Sequence, residues 1–449
     1  MFVKPRNVQR KFRTLLIVLI ILLAAITLWL MPLQHVNASE VTVCAEGCDF
    51  TSLQAAIDSP AVLPGQEILL RDAVHTEAGI DVNKALTIRG QGAQETILQA
   101  HAQPEVSDQR VFLIQRGTSV TIQNMTIRHG NPKTEPESGG GIRNEGTLTL
   151  ENVIVRDNSG SAGGGILNDG TITLINCTVS HNGSRGGGNF YMECKTGGGL
   201  KNMAGEMTLI NTTVSDNHAV AKGGGIHVAC NGLLVLENST ISNNISENNG
   251  GGVFLNGVGE FTHSTISQNE AKTGGGIYIE GSGEAGLIRG QLSFSNTLIA
   301  GNIGRREKYG VPDCVVGEYG SLAVNESNWV GDGNCEGAYS GDPMLVVLAE
   351  PPESSGDEPR SVAGTHVPQT HMLLPESPII DLLPSEACLL ESDQWGTARP
   401  QGAGCEIGAY ELPKEKVNSP KTSVALVLSA SLLLVVLGLG WLLARMRAE

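Results

Sequence analysis

The sequence predicts an all-β solenoid, one chain wound into a triangular prism of short parallel strands. Three observations predict it. Glycine triplets begin at Gly139, Gly163, Gly197, Gly223, Gly250 and Gly274, in steps of 24, 34, 26, 27 and 24 residues, the period range of stacked repeats. Within each step, apolar residues alternate ahead of an asparagine, the signature of a strand with one face inside. The 449 residues include 57 glycines and only 4% aromatics, which suits one small unit reused rather than ordinary globular cores.

Residues 1–38 carry basic residues, an apolar run from Leu15 to about Leu33 and the small tripeptide "VNA" ending at Ala38. They read as a signal peptide, with an uncleaved signal anchor as the alternative. The solenoid is expected over 39–306. Near its start "FTSLQAAI" (Phe50 to Ile57) reads as a short amphipathic helix that covers the open end, where bare strand edges and apolar side chains need protection. Each coil then repeats three apolar columns. Leu148 and Leu150, Ile172 and Leu174, Met207 and Leu209, Leu234 and Leu236, and Leu292 and Phe294 lie four and two residues before the first Asn. Ile127, Val155, Val179, Val214, Ile241, Ile266 and Ile299 lie three after it. Ile142, Ile166, Leu200, Ile226, Val253 and Ile277 follow the glycines. Three strands per coil are expected.

The first polar column is Asn124, Asn152, Asn176, Asn211, Asn238 and Asn296, with His263 in one coil; the second is Asn158, Asn182, Asn217, Asn244, Asn269 and Asn302. Inward amides stacked coil on coil can donate to one neighbour and accept from the other. Asn176, Asn211, Asn238 and Asn244 also begin N-x-[ST] sequons, but their place in the columns favours structure over glycosylation.

Residues 307–348 read as final coils closing the far end, 349–368 as an acidic linker or loop, and 413–423 as a second linker. Val424 to Leu443 is long enough to span a membrane, and Arg445 and Arg447 place the 444–449 tail inside. The expected location is therefore the cell membrane, single-pass, with the bulk of the chain outside. A formal net charge of −16 argues against nucleic acid as a partner. Nine cysteines in an exported chain suggest disulfides. Short separations suggest Cys44–Cys48, Cys314–Cys335 and Cys388–Cys405, and Cys194–Cys230 is a further candidate joining neighbouring coils. Cys177 is then left as a buried thiol. No CxxC or HxxxH spacing occurs, so no metal site is predicted.

The coils resemble right-handed parallel β-helix proteins of the pectate-lyase-like superfamily. The stretch "THMLLPESPIIDLLPSEACLLESDQWGTARPQGAGCEIGAYELP", within 369–412, resembles the signature of bacterial choice-of-anchor Q proteins. Its matching elements are Ser377 to Asp381 and Asp393 to Glu411, preceded by "DPML" (Asp342 to Leu345). Trp395 stands where that pattern has Arg, and Glu406 where it has Asp. The resemblance implies a right-handed β-helix held at the cell surface by a C-terminal anchor.

Catalytic motifs of the β-helix hydrolases (NTD, DD, GHG, RIK) do not occur, and calcium would be expected only of a lyase. Two candidate sites remain. His129, Asp157, His181 and Asp216, five residues after the first Asn on successive coils, would stand about 5 Å apart and suit acid–base chemistry or a cation. The competing reading is a solvated corner column, continued by Asn243, Gln268 and Gly301. Phe190 and Tyr191, in the insertion Gly186 to Thr196, suit stacking on a sugar ring. The expected function is a display module binding extracellular polysaccharide or a neighbouring cell surface. A polysaccharide lyase or glycoside hydrolase, and a passive envelope stalk, are the alternatives.

Overall fold

The computed structural model describes residues 40–133, 139–185, 197–229, 232–280, 290–305, 313–332, 335–351 and 366–413. The two terminal apolar runs, the insertion with Phe190 and Tyr191, the candidate pair Cys194 and Cys230, and most of the acidic segment lie outside them. No helix among the described residues is long and apolar enough to cross a membrane.

One coil shows how the sequence makes the fold. Ile166–Asn168, Thr171–Ile175, Thr178–Ser180 and Gly183–Ser184 are successive strands. Each pairs in parallel with its equivalent one coil on: Ile166 with Leu200, Leu174 with Leu209, Val179 with Val214 and Gly183 with His218. The coil therefore has four strand segments where three were expected. The additional one is two residues long, too short to leave an alternating pattern.

The apolar columns all point inward. Ile166, Ile172, Leu174 and Val179 are fully buried, as are Leu200, Met207, Leu209 and Val214 above them. They belong to one continuous core running from Val41 to Cys335. Stacking at the strand spacing places like on like, so each coil supplies only a thin slab of core and depends on its neighbours.

Glycine is required where the coils turn tightest. Gly223 has φ +66°, and a Cβ on Gly224 would lie 2.4 Å from the Gly251 carbonyl oxygen of the next coil. No other residue fits both positions.

At the N-terminal end the helix spans Leu53–Asp58, with Leu53, Ala56 and Ile57 buried. Phe50 instead bridges to Val43. Ser52 caps the helix through the Ala55 amide, and Glu77 accepts from the Leu53 and Gln54 amides at 2.7 and 2.8 Å. At the other end Cys314–Val316, Ser321–Glu326 and Trp329–Val330 extend the stack by one further coil. Disulfides join Cys44 to Cys48, Cys314 to Cys335 and Cys388 to Cys405, and Cys177 is free and buried.

Candidate functional site

The two asparagine columns differ. In the first, Asn124, Asn152, Asn176, Asn211, Asn238, His263 and Asn296 all have φ of 45° to 55°. They mark the bend between two strands, where Asn tolerates left-handed backbone better than other non-glycine residues. Asn124, Asn152, Asn176 and Asn211 are only half-buried. Within this column Asn152 Nδ2 donates to Asn124 Oδ1 at 3.2 Å, while Oδ1 of Asn211 and of Asn238 has no partner among the described residues. The continuous amide stack expected here is thus corrected: among the described residues only Asn152 with Asn124 and Asn296 with His263 pair within the column, whereas all seven members share the left-handed backbone.

The second column is the amide ladder. Asn158, Asn182, Asn217, Asn244 and Asn269 donate through Nδ2 to Oδ1 of the next member, ending at Asn302, over 2.9 to 3.1 Å. The same oxygens accept the backbone N–H of the preceding member. The ladder ends on Asp313, which accepts from Asn302 at 2.8 Å. Burial pushes the Asp313 carboxyl up to about 6.

Sequence reasoning missed two further ladders. Asn144, Asn168 and Asn202 are linked at 2.7 and 2.8 Å; "GGGIRN", "GGGILN" and "GGGLKN" carried the signal. Directly after the bend asparagine, Thr212, Ser239, Ser264 and Thr297 offer hydroxyls to the backbone N–H one coil back. Cys177 occupies that position in its own coil, donating weakly to the Leu150 and Ile175 carbonyls. Burial pushes its thiol up to about 12.

His129, Asp157, His181 and Asp216 form a second column of left-handed corners, with φ of 54° to 64°. His129 is buried and bonds the His101 carbonyl oxygen through Nδ1 at 2.8 Å; burial lowers its pKa. Asp157 pairs with Arg156. His181 and Asp216 are exposed. The four are stacked by the coil register, but among the described residues no hydrogen bond or ion pair joins their side chains, and no cluster of His, Cys, Asp and Glu suited to a metal occurs.

The most elaborate polar site lies elsewhere, on a flank of the prism. Thr178, Thr213, Thr240 and Thr265 with Ser180, Ser215, Ser242 and Ser267 point away from the core, on either side of inward Val179, Val214, Ile241 and Ile266. Solvated columns would be exposed. Instead Thr213, Thr240 and Ser242 are fully buried, because residues 366–413 lie across this flank as a strap.

Along the seam His366 meets Thr178 Oγ1 at 2.6 Å, and the Gln369 carbonyl accepts from Thr213. Thr370 and Gln394 Oε1 meet Thr240 at 2.7 and 2.6 Å. His371 meets Ser242 at 2.8 Å, Asn238 donates to the Ser392 carbonyl, and the Ala409 amide donates to Thr265 at 2.9 Å. Further down, the Gly408 amide donates to the Asn296 carbonyl, and Asn296 Nδ2 to the Ala387 carbonyl. Leu298 and Ala300 continue the outward columns as apolar residues and join a second core with Ile379, Leu383, Trp395, Ile407 and Tyr410.

Inside the strap Arg399 and Glu411 pair at 3.0 Å with both side chains fully buried. Arg399 also donates to the Glu406 and Gly408 carbonyls. Asp393 accepts the Trp395, Thr397 and Glu411 amides at 2.9, 2.7 and 2.9 Å. Burial, then Glu411 beside it, raises the pKa of Glu406; burial also raises that of Asp393. The residues that carry the anchor-family resemblance are therefore the strap's internal frame. Trp395, where that pattern has Arg, donates to the Pro368 carbonyl at 2.8 Å and stands edge-on to Tyr410.

A family model described as right-handed β-helix region matches residues 110–299. The chain folds as a right-handed parallel β-helix. Among solved structures the fold is similar to pectate lyase Pel9A, at 13% identity and TM-score 0.45, covering 83% of this chain and 97% of that one. Iota-carrageenase complexed to iota-carrageenan fragments aligns at 10% identity and TM-score 0.29, over 68% and 91%. The A-module of the mannuronan C-5 epimerase AlgE4 from Azotobacter vinelandii aligns at 12% and 0.25, over 64% and 93%. No curated protein sequence matches. Likeness at this level carries no activity across.

Proposed function

We propose that this protein is an exported, membrane-anchored β-helix that displays a binding surface for extracellular glycans or a neighbouring cell surface. One observation supports this reading best. The strap, the segment that leads toward the C-terminal apolar run, is bonded to five successive coils at Thr178, Thr213, Thr240, Thr265 and Asn296. Tension from a membrane anchor at 424–443 would load those contacts together rather than peel one coil from the end. Three disulfides fit an oxidising exterior. The Leu53–Asp58 helix serves in this reading as the cover of the first coil. The position of the strap also agrees with the choice-of-anchor Q resemblance, which places such a segment ahead of the anchor.

The test is a polysaccharide panel offered to the full chain in detergent, with and without calcium. Binding without turnover, lost on deleting residues 186–196, is expected. Turnover abolished by His181→Ala would replace display with lyase or hydrolase chemistry. Neither binding nor turnover would leave a passive stalk.

A further inference from the structure

Three imidazoles sit in or beside the seam. His263 is fully buried, and its Nε2 receives two donors, the Leu389 amide of the strap at 3.3 Å and Asn296 Nδ2 at 3.0 Å. Nε2 must therefore be the unprotonated nitrogen. His371, 1% exposed, lies between the Val346 carbonyl oxygen at 2.8 Å and Ser242 Oγ at 2.8 Å. His366 meets Thr178.

No carboxylate acts on these three imidazoles. At His263 burial disfavours the charged ring most and Arg399 adds repulsion, against the Gly408 and Glu406 backbones, which favour it. At His371 burial outweighs the Val346 carbonyl, and His366 has burial alone. His75 and His218, elsewhere on the coils, do face carboxylates, Glu77 and Glu247.

We propose that the seam is an acid-operated release: in mildly acidic surroundings residues 366–413 lift off the coils as a unit, uncovering the Thr and Ser columns, while the coils stay folded. The direction follows from linkage. All three imidazoles titrate below their ordinary value when docked, His366 at about 4. Docking is unaffected above an ordinary imidazole pKa of about 6.5 and weakens as pH falls through it toward the docked values. The strap carboxyls with the opposite shift, Glu406 and Asp393, accept from amides of the strap itself, Asp381 on Glu406 and Trp395, Thr397 and Glu411 on Asp393. Acid therefore favours the strap's own fold while loosening its seat. The Cys388–Cys405 disulfide closes within the strap and does not tether it to the coils.

The test is amide hydrogen exchange on the full chain in detergent at pH 7.5 and 5.0, corrected for intrinsic rates. The seam amides of Leu389, Gly408 and Ala409 are expected to lose protection about tenfold or more at pH 5.0. The ladder amides of Asn182, Asn217 and Asn244, and the strap amides of Trp395 and Thr397, should be unchanged. The combined variant His263→Asn, His366→Gln, His371→Gln should keep its seam protected at pH 5.0. Retained protection in the unaltered chain, equal loss in chain and variant, or exchange of coils and seam together would overturn the proposal. Should the combined variant be undocked already at pH 7.5, His263→Asn alone decides: asparagine is what the other coils carry there, and an acid-induced loss as large as in the unaltered chain would count against the release.

Discussion

The coils and the strap bury polar groups by opposite means. In the coils, neutral amides and hydroxyls repeat at the strand spacing, so each group meets its own copy and the hydrogen bonds close by translation. The strap has no repeat to lean on. It closes its interior with Arg399, Asp393 and Glu411, whose charges lie fully buried or nearly so. A translated neutral ladder tolerates a local fault, because coils couple chiefly to their neighbours. An ionic frame fails as a whole when one charge is removed, because the remaining ones are left buried and unpaired.

The sharpest way to break this contrast is Arg399→Met. Leaving Glu411 buried without its partner should cost the strap about 3–5 kcal/mol. Hydrogen exchange at neutral pH should then show the Thr397 and Glu411 amides open while the coil amides keep their protection. Loss of coil protection to the same degree would mean that strap and coils form one cooperative unit. Asn217→Leu should come next, at about 2–3 kcal/mol. It removes the acceptor of both the Asn182 amide and Asn182 Nδ2, and the damage should show in denaturant unfolding and in exchange confined to the adjoining coils.

A third effect is that of pH, through Glu406. Its carboxyl titrates above the usual carboxylate range in the fold, because of burial and then Glu411. The stability it contributes is therefore full below the unfolded value near 4.5 and is lost as pH rises through the folded one. Thermal unfolding of the strap should fall between pH 6 and pH 9, and Glu406→Gln should remove that slope. A slope that persists in the variant would assign it to another group.

How much of this was legible in the sequence depended on periodicity. The inward columns, from Ile142 to Ile277 and from Leu148 to Phe294, were readable because a core built by translation repeats its residues in register. The amide ladder through Asn158 and Asn217 was readable for the same reason, although the bend column through Asn176 looked identical in sequence and its cause is backbone conformation. Sequence has no separate mark for an asparagine chosen for its side chain and one chosen for positive φ. The outward run Thr178, Thr213, Thr240 and Thr265 was equally periodic, and its lack of charge was the available sign that something covers it. What covers it is aperiodic and more than a hundred residues distant in sequence, so the seam with Gln394 and His371 left no pattern to read.

The smallest expected effect bears on the column His129, Asp157, His181 and Asp216. All four have positive φ, and the coils that follow place Asn243, Gln268 and Gly301 there. If the corner selects residues only for left-handed backbone, His181→Asn and Asp216→Asn should leave stability within about 0.5 kcal/mol of the unaltered chain. His181→Ala, whose Cβ suffers the strain without a side chain that bonds locally, should cost about 1 kcal/mol, and His181→Gly should recover most of it. That order, Asn and Gly harmless and Ala costly, belongs to a conformational role and to no chemistry of the imidazole. A ligand-binding or catalytic imidazole would show in binding or turnover instead, where Asn, Gly and Ala would be equally damaging. Denaturant unfolding of the three variants alongside the glycan panel separates the two.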